Sequence, residues 1–163
     1  MEQIHTIAPV FDENSRILIL GSFPSVKSRE TQFFYGHPQN RFWKTLAAVT
    51  GNACPQTIEE KKEFLLDNRI AVWDVIKSCD IEGSADSSIK NVVPNDFTEI
   101  LQTAGIRRIY ANGTTSYNLY KKYCEKVTNR EIIKLPSTSP ANAQFSLERL
   151  ISAWSVIKGE LTW

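Results

Sequence analysis

The chain has 163 residues, 42% hydrophobic and 23% charged, a mixture that suits one compact domain over 1–163 and argues against disorder. With 19 Lys+Arg against 18 Asp+Glu the net charge is +1, which excludes a surface coated in nucleic-acid-binding charge; any such contact must be small and local. No apolar run can span a bilayer, and MEQIHTIAPVFDENSR lacks the basic start and apolar core of a signal peptide, so a soluble cytoplasmic protein without membrane contact is expected.

The first predicted strand is Arg16–Gly21 (RILILG). Arg41–Val49 follows as a helix, with Phe42, Leu46 and Val49 on one stripe and a stop near Gly51. Thr57 with Glu60 fits a capping box opening the helix IEEKKEFLLDN. Ile70–Val75 (IAVWDV) is the second strand. Asn95 or Asp96 suits the cap of a helix over FTEILQTA, with Gly105 past its end. Arg107–Asn112 is a third strand, Tyr117–Val127 a helix, and Glu131–Leu135 a fourth strand. Ser146 can cap a last helix, LERLISAWSVIK, whose Leu147, Leu150, Ile151 and Trp154 face the core. None of the four strands alternates cleanly, as expected where both faces are covered. Strands alternating with helices imply right-handed crossovers and a three-layer α/β/α domain around a four-stranded parallel sheet.

Ligands of such sheets sit beyond the carboxyl ends of the strands. That rule nominates four loops: Gly21-Ser22-Phe23-Pro24-Ser25, Asp74-Val75-Ile76-Lys77-Ser78, Asn112-Gly113-Thr114-Thr115, and Pro136 to Asn142. They are rich in amides, hydroxyls and small side chains, and poor in titratable groups. A phosphate loop, a GxSxG elbow and GxGxxG after the first strand are all missing. Cys54, Cys79 and Cys124 form no CxxC pair and read as free thiols; with only His5 and His37 besides, no metal site is expected. What remains suits hydrolysis through a cation-like transition state, such as N-glycosidic cleavage. There a neutral amide can orient water, and hydrogen bonds can receive the departing base.

The strings GSFPS (21–25), FYGHPQNRFW (34–43), WDVIKSC (73–79) and LPSTSPANA (135–143) resemble the uracil-DNA glycosylase superfamily, and within it the hypoxanthine-DNA glycosylase (DNA-deoxyinosine glycosylase) branch. The entry to the last helix, Phe145 to Leu150, is similar to the mismatch-specific branch. The resemblance covers about residues 14–157, and HPxNxFW together with LPSTSPAN is specific. It implies a four-stranded parallel sheet flanked by helices, no metal or organic cofactor, a monomer acting on DNA that contains deaminated bases, and an abasic product. Uracil or xanthine is the alternative preferred base; a non-catalytic nucleic-acid binder is the alternative class.

Carried over residue by residue, the resemblance puts Phe23 where other branches place a water-activating Asp or Asn, and moves that role to Asn40. Asn40 also suits a helix N-cap, and both roles are compatible. Tyr35 aligns with an aromatic that stacks on the flipped base, or is a core aromatic beside Phe33 and Phe34. Asp74 and Asn112 are candidates for reading the base edge, or a loop Asp and a turn Asn. Ser22 and Phe23 complete the expected base pocket. Leu135 replaces a histidine of the last motif in other branches. Ser137, Thr138, Ser139, Pro140 and Asn142 are expected on DNA, with Ser25, Lys27 and Arg41 as phosphate contacts or solvated surface. His37 could be a general acid or phosphate donor, or a structural residue beside Pro38. HPQNRFW and LPSTSPANA hold no lysine, so no Schiff-base lyase step is expected.

Overall fold

The computed structural model describes residues 2–161. In chain order the elements are β1 (Glu2–Ile4), β2 (Ile17–Gly21), α1 (Val26–Thr31), α2 (Phe42–Thr50), α3 (Ile58–Asp67), β3 (Ile70–Asp74), β4 (Ile76–Asp80), β5 (Lys90–Pro94), α4 (Thr98–Thr103), β6 (Arg108–Asn112), α5 (Thr114–Tyr123), α6 (Glu125–Thr128), β7 (Ile132–Leu135) and α7 (Leu147–Trp154). Short 3₁₀ turns cover Asp86–Ser88 and Ser155–Glu160.

The expected four strands form a parallel sheet in the order β3-β2-β6-β7. All five residues of β2 are buried. Their alternation survives as a division between two cores. Ile17 and Ile19 join Val72, Tyr110 and Leu135 beneath Phe42, Leu46, Leu65, Leu150 and Trp154 of α2, α3 and α7. Leu18 and Leu20 join Ala71, Ile109 and Ala111 beneath Ile100 and Tyr120 of α4 and α5. Both faces are apolar, which is why the strands read as continuous runs. The open edge of β3 is covered by Val10, which exchanges two 3.0 Å backbone hydrogen bonds with Val72.

Several boundaries differ from the sequence reading. Asp74–Ser78 reads as a loop, yet Ile76–Asp80 is strand β4 of a separate antiparallel sheet, β1-β4-β5. The chain turns out of the main sheet at Val75, whose N–H donates to the Gly21 carbonyl at 2.8 Å. Asn95 does not cap α4. Its buried carboxamide donates to the carbonyls of Asp74 and Ile76 and fixes this turn, while Asp96 accepts from the Thr98 N–H. Helix α5 starts at Thr114, not Tyr117, and the helical stretch breaks at Cys124. Helix α1, capped by the Ser25 hydroxyl, was not expected. The Thr57–Glu60 capping box and the Ser146 cap form as expected.

The connection leaving β2 crosses to the α2/α3 face, and that leaving β6 crosses to the α4/α5 face. A crevice therefore opens between the carboxyl ends of these neighbouring strands.

Candidate active site

That crevice is a cleft of about 330 Å³, within the usual range of ligand pockets, lined among others by Ser22, Tyr35, Asn40, Asp74, Asn112 and Ser137. Strand register explains the gathering. Gly21 pairs with Asp74, and Asn112 with Leu135, so four strand ends present their last residues side by side. Gly21 is needed for closeness: a Cβ there would lie 2.4 Å from Asp74 Oδ1 and 3.0 Å from the Tyr35 hydroxyl.

Asn40 lies one residue before Arg41, the N-cap of α2, and its Oδ1 accepts from the N–H of Phe42, the first residue of the helix, at 2.9 Å. The same oxygen accepts from the Thr138 hydroxyl at 2.8 Å. Thr138, fully buried, accepts in turn from Asn112 Nδ2 at 3.0 Å and donates its backbone N–H to Asn112 Oδ1 at 3.0 Å. The chain Asn112, Thr138, Asn40 therefore locks both carboxamides, and the free end of Asn40 is its amide nitrogen, a donor.

Tyr35 adopts φ 52°, a left-handed conformation that costs a non-glycine residue about 1–2 kcal/mol. It lays the ring on Phe42 at 3.8 Å between centroids, interplanar angle 17°. Among the described residues the buried phenol oxygen meets no partner at full hydrogen-bond geometry. Burial holds the phenol well above its ordinary pKa, the Asp74 carboxylate adds to this, and the nearby Asn112 amide opposes it. Tyr35 thus enters the site as a neutral donor, besides offering ring surface.

The last loop is rigidly built. Arg41 turns its guanidinium inward, donating to the carbonyls of Ser139 at 2.9 Å, Asn142 at 3.1 Å and Phe145. Asn142 Nδ2 donates to the Ser137 carbonyl at 3.0 Å, and Trp154 Nε1 to that of Pro136 at 2.9 Å. Ser137 and Ser139 hydroxyls accept from the N–H groups of Ser139 and Ala141. Such a loop approaches a ligand already ordered.

Of the sequence candidates, Ser22, Phe23, Ser25, Tyr35, Asn40, Asp74, Asn112, Ser137, Thr138 and Ser139 line the cleft, and Asn142 lines an adjoining groove. Lys27 is exposed on α1 near Glu30, and Pro140 is exposed on the loop; neither lines the cleft. Arg41 lies behind the loop as its anchor. His37 lies on an exposed turn, its Nδ1 accepting from the Gln39 N–H, away from the cleft. Leu135 is buried in the core.

Two residues escaped the sequence reading, one behind the cleft and one at its mouth. His5, just past β1, bonds Asp74. Asp86 reaches the cleft mouth from the β4–β5 connection and meets Ser22 Oγ at 3.4 Å. The residue is exposed as a whole, but desolvation of its carboxyl raises its pKa, with hydrogen bonds from Thr115 and Ser22 opposing. Neither sits in a motif, and both arrive through the second sheet, whose strands are short and weakly patterned. Among the described residues no group of three or more His, Cys, Asp or Glu is placed to hold a metal, and no helix is long and apolar enough to cross a membrane.

A hypoxanthine DNA glycosylase of Methanosarcina acetivorans is 37% identical over 149 residues, 91% of this chain and 93% of that protein. Its namesake from Methanosarcina barkeri is 37% identical over 110 residues, 66% of this chain and 70% of that protein. A solution NMR structure described as a candidate uracil DNA glycosylase of M. acetivorans superposes with a TM-score of 0.79 at 34% identity, covering 97% of this chain and 99% of that one. The uracil DNA glycosylase superfamily model matches residues 8–158, and the chain belongs to that superfamily.

Proposed function

We propose that the protein is a monofunctional DNA glycosylase that draws a deaminated nucleotide into the cleft and hydrolyses its N-glycosidic bond, with hypoxanthine as the preferred base. The observation that carries this reading is the convergence of Asn40, Asp74, Asn112 and Tyr35 on one cleft, with Asn40 locked by its oxygen. Reaching a base in a duplex requires flipping it from the stack. Tyr35, backed by Phe42, supplies a stacking surface. Ser22 and Phe23 form the adjoining wall, and the loop of Ser137, Ser139, Pro140 and Asn142 meets the DNA, with Thr138 and Arg41 holding it in shape. Ser25 and Lys27 flank the opening toward the phosphates.

Hypoxanthine carries an N–H at N1 and a carbonyl at C6. The Asp74 carboxylate accepts from the N–H, and a remaining proton of Asn112 Nδ2 serves the carbonyl. Adenine presents a lone pair at N1, which the carboxylate repels; this discriminates the lesion from the normal base. As the C1′–N9 bond breaks, its electron pair goes to the base and the sugar gains oxocarbenium character. Asn40 Nδ2 donates to one lone pair of a water, leaving another for C1′. The adding water loses its proton to solvent or the departing base, so hypoxanthine and an abasic site result. The carbon is already cationic, so a neutral amide suffices. The protein works as a cytoplasmic monomer without metal or organic cofactor.

The test is base release from duplexes carrying hypoxanthine, uracil or xanthine. Hypoxanthine is expected to leave fastest, and Asn40→Ala to keep DNA binding while losing about 100-fold or more in release. Release of no base from any duplex would make the protein a non-catalytic binder; preference for uracil would reassign the substrate; wild-type turnover in Asn40→Ala would remove Asn40 from the chemistry.

A further inference from the structure

We infer that His5 is a positioning residue for base recognition, clamping Asp74 so that a single carboxylate oxygen faces the cleft. This deepens the proposed reading of Asp74 and rests on it. The His5 and Asp74 side chains are only 1% and 5% exposed, and Nε2 lies 2.8 Å from Oδ2. The other ring nitrogen, Nδ1, accepts the Ile7 backbone N–H at 3.2 Å. A nitrogen that accepts carries no proton, so the neutral ring holds its proton on Nε2 and donates it to Asp74. Among the described residues His5 is the sole hydrogen-bond partner of this carboxylate.

The ring has little freedom. It meets Phe23 edge-on at 5.9 Å and Trp73 edge-on at 6.2 Å between centroids. Its backbone N–H donates to the Lys77 carbonyl at 2.7 Å, and the Trp73 indole N–H donates to the Ile7 carbonyl at 3.1 Å. The N-terminal segment is thus tied at both ends of the histidine. With Oδ2 taken, the carboxylate cannot rotate freely, and Oδ1 stands over Gly21, where a methyl group would come within 2.4 Å. A base N–H meets one directional acceptor in place of a freely turning anion. That fixes the hydrogen-bond direction by which hypoxanthine is told from adenine.

The experiment compares His5→Leu, His5→Gln and wild type in single-turnover release of hypoxanthine and in binding of an abasic-site duplex. It repeats His5→Leu in an Asp74→Asn background. Loss of a bond to a charged group predicts about tenfold slower release in His5→Leu. Abasic-duplex affinity should stay within about twofold, because no base is present to be read. Gln carries a donor at similar reach, so His5→Gln should recover to within about threefold of wild type. In the Asp74→Asn background the leucine substitution should add less than about twofold. ¹⁵N NMR of the imidazole should show the proton on Nε2. Wild-type release in His5→Leu, an undiminished effect without the Asp74 carboxylate, glutamine no better than leucine, or a proton on Nδ1 would each overturn the inference. If His5→Leu does not fold, His5→Gln and the NMR tautomer decide. A wild-type protein that releases no base refutes the proposed function instead, and the tautomer still tests the clamp.

Discussion

Asn40 shows how one side chain can serve two ends. Its oxygen holds the first N–H of α2, that of Phe42, and receives the Thr138 hydroxyl, which turns its nitrogen toward the cleft. Replacing it by Ala removes both of these bonds as well as the donor. Beyond lost turnover, Asn40→Ala should lower stability by about 1 kcal/mol, or about 2–4 °C in melting temperature for a chain of this size. Asn40→Asp separates the two roles. A carboxylate accepts both bonds and keeps the helix start but cannot donate. Circular dichroism melts should therefore resemble wild type while base release falls about 100-fold. A rate kept or raised in Asn40→Asp would show that the oxygen, not the nitrogen, addresses water.

At the scale of elements, local chemistry governs where helices begin. In the capping box of α3 the Thr57 hydroxyl accepts from the Glu60 N–H at 3.0 Å, and the Glu60 carboxylate accepts from the Thr57 N–H at 3.0 Å. That bond, with a second from the Gln56 N–H at 2.9 Å, holds the Glu60 carboxyl below its ordinary pKa. The box lies far from the cleft, so Thr57→Ala should cost about 1 kcal/mol in urea unfolding with base release unchanged; a slower release would tie α3 to the site. Elements set by distant partners behave differently. Strand β4, IKSCD, has little strand character of its own, and it forms because β1 and β5 flank it. The start of α5 at Thr114 was hidden because Gly113-Thr114-Thr115 reads as a turn. Gly113, at φ 98°, lets the chain enter the helix directly from β6, and a Cβ there would lie 3.1 Å from that of Ser137.

For the whole molecule, burial rather than spacing decides thiol chemistry. Cys79 and Cys124 are 1% and 3% exposed, whereas Cys54 is half-buried near the surface. Desolvation pushes the Cys124 thiol up to about 11 and raises that of Cys79, for which Arg29 opposes and Asp80 adds. A thiol is attacked as its thiolate, so native protein at pH 8 should show a single fast-alkylating cysteine, Cys54, identified by peptide mass mapping, with the other two appearing on unfolding. Fast labelling of Cys124 in native protein would contradict the packing of α5 on the sheet.

Apolar runs and helix caps were enough to read the four core strands, their burial on both faces and the loops at their carboxyl ends, while Asn40, Tyr35, Asp74 and Asn112 became site candidates through the resemblance of their motifs to the superfamily. The physics of runs and caps reaches only a few residues along the chain. The tertiary structure alone decided that His5 lies on Asp74, 69 residues away, and that Thr138 reaches Asn40 across 98 residues and turns its amide. It also decided that Arg41 anchors a loop rather than facing solvent. Such contacts depend on strand order and on the side of the sheet to which each connection crosses. No local pattern encodes that choice; it emerges when both apolar faces are buried at once.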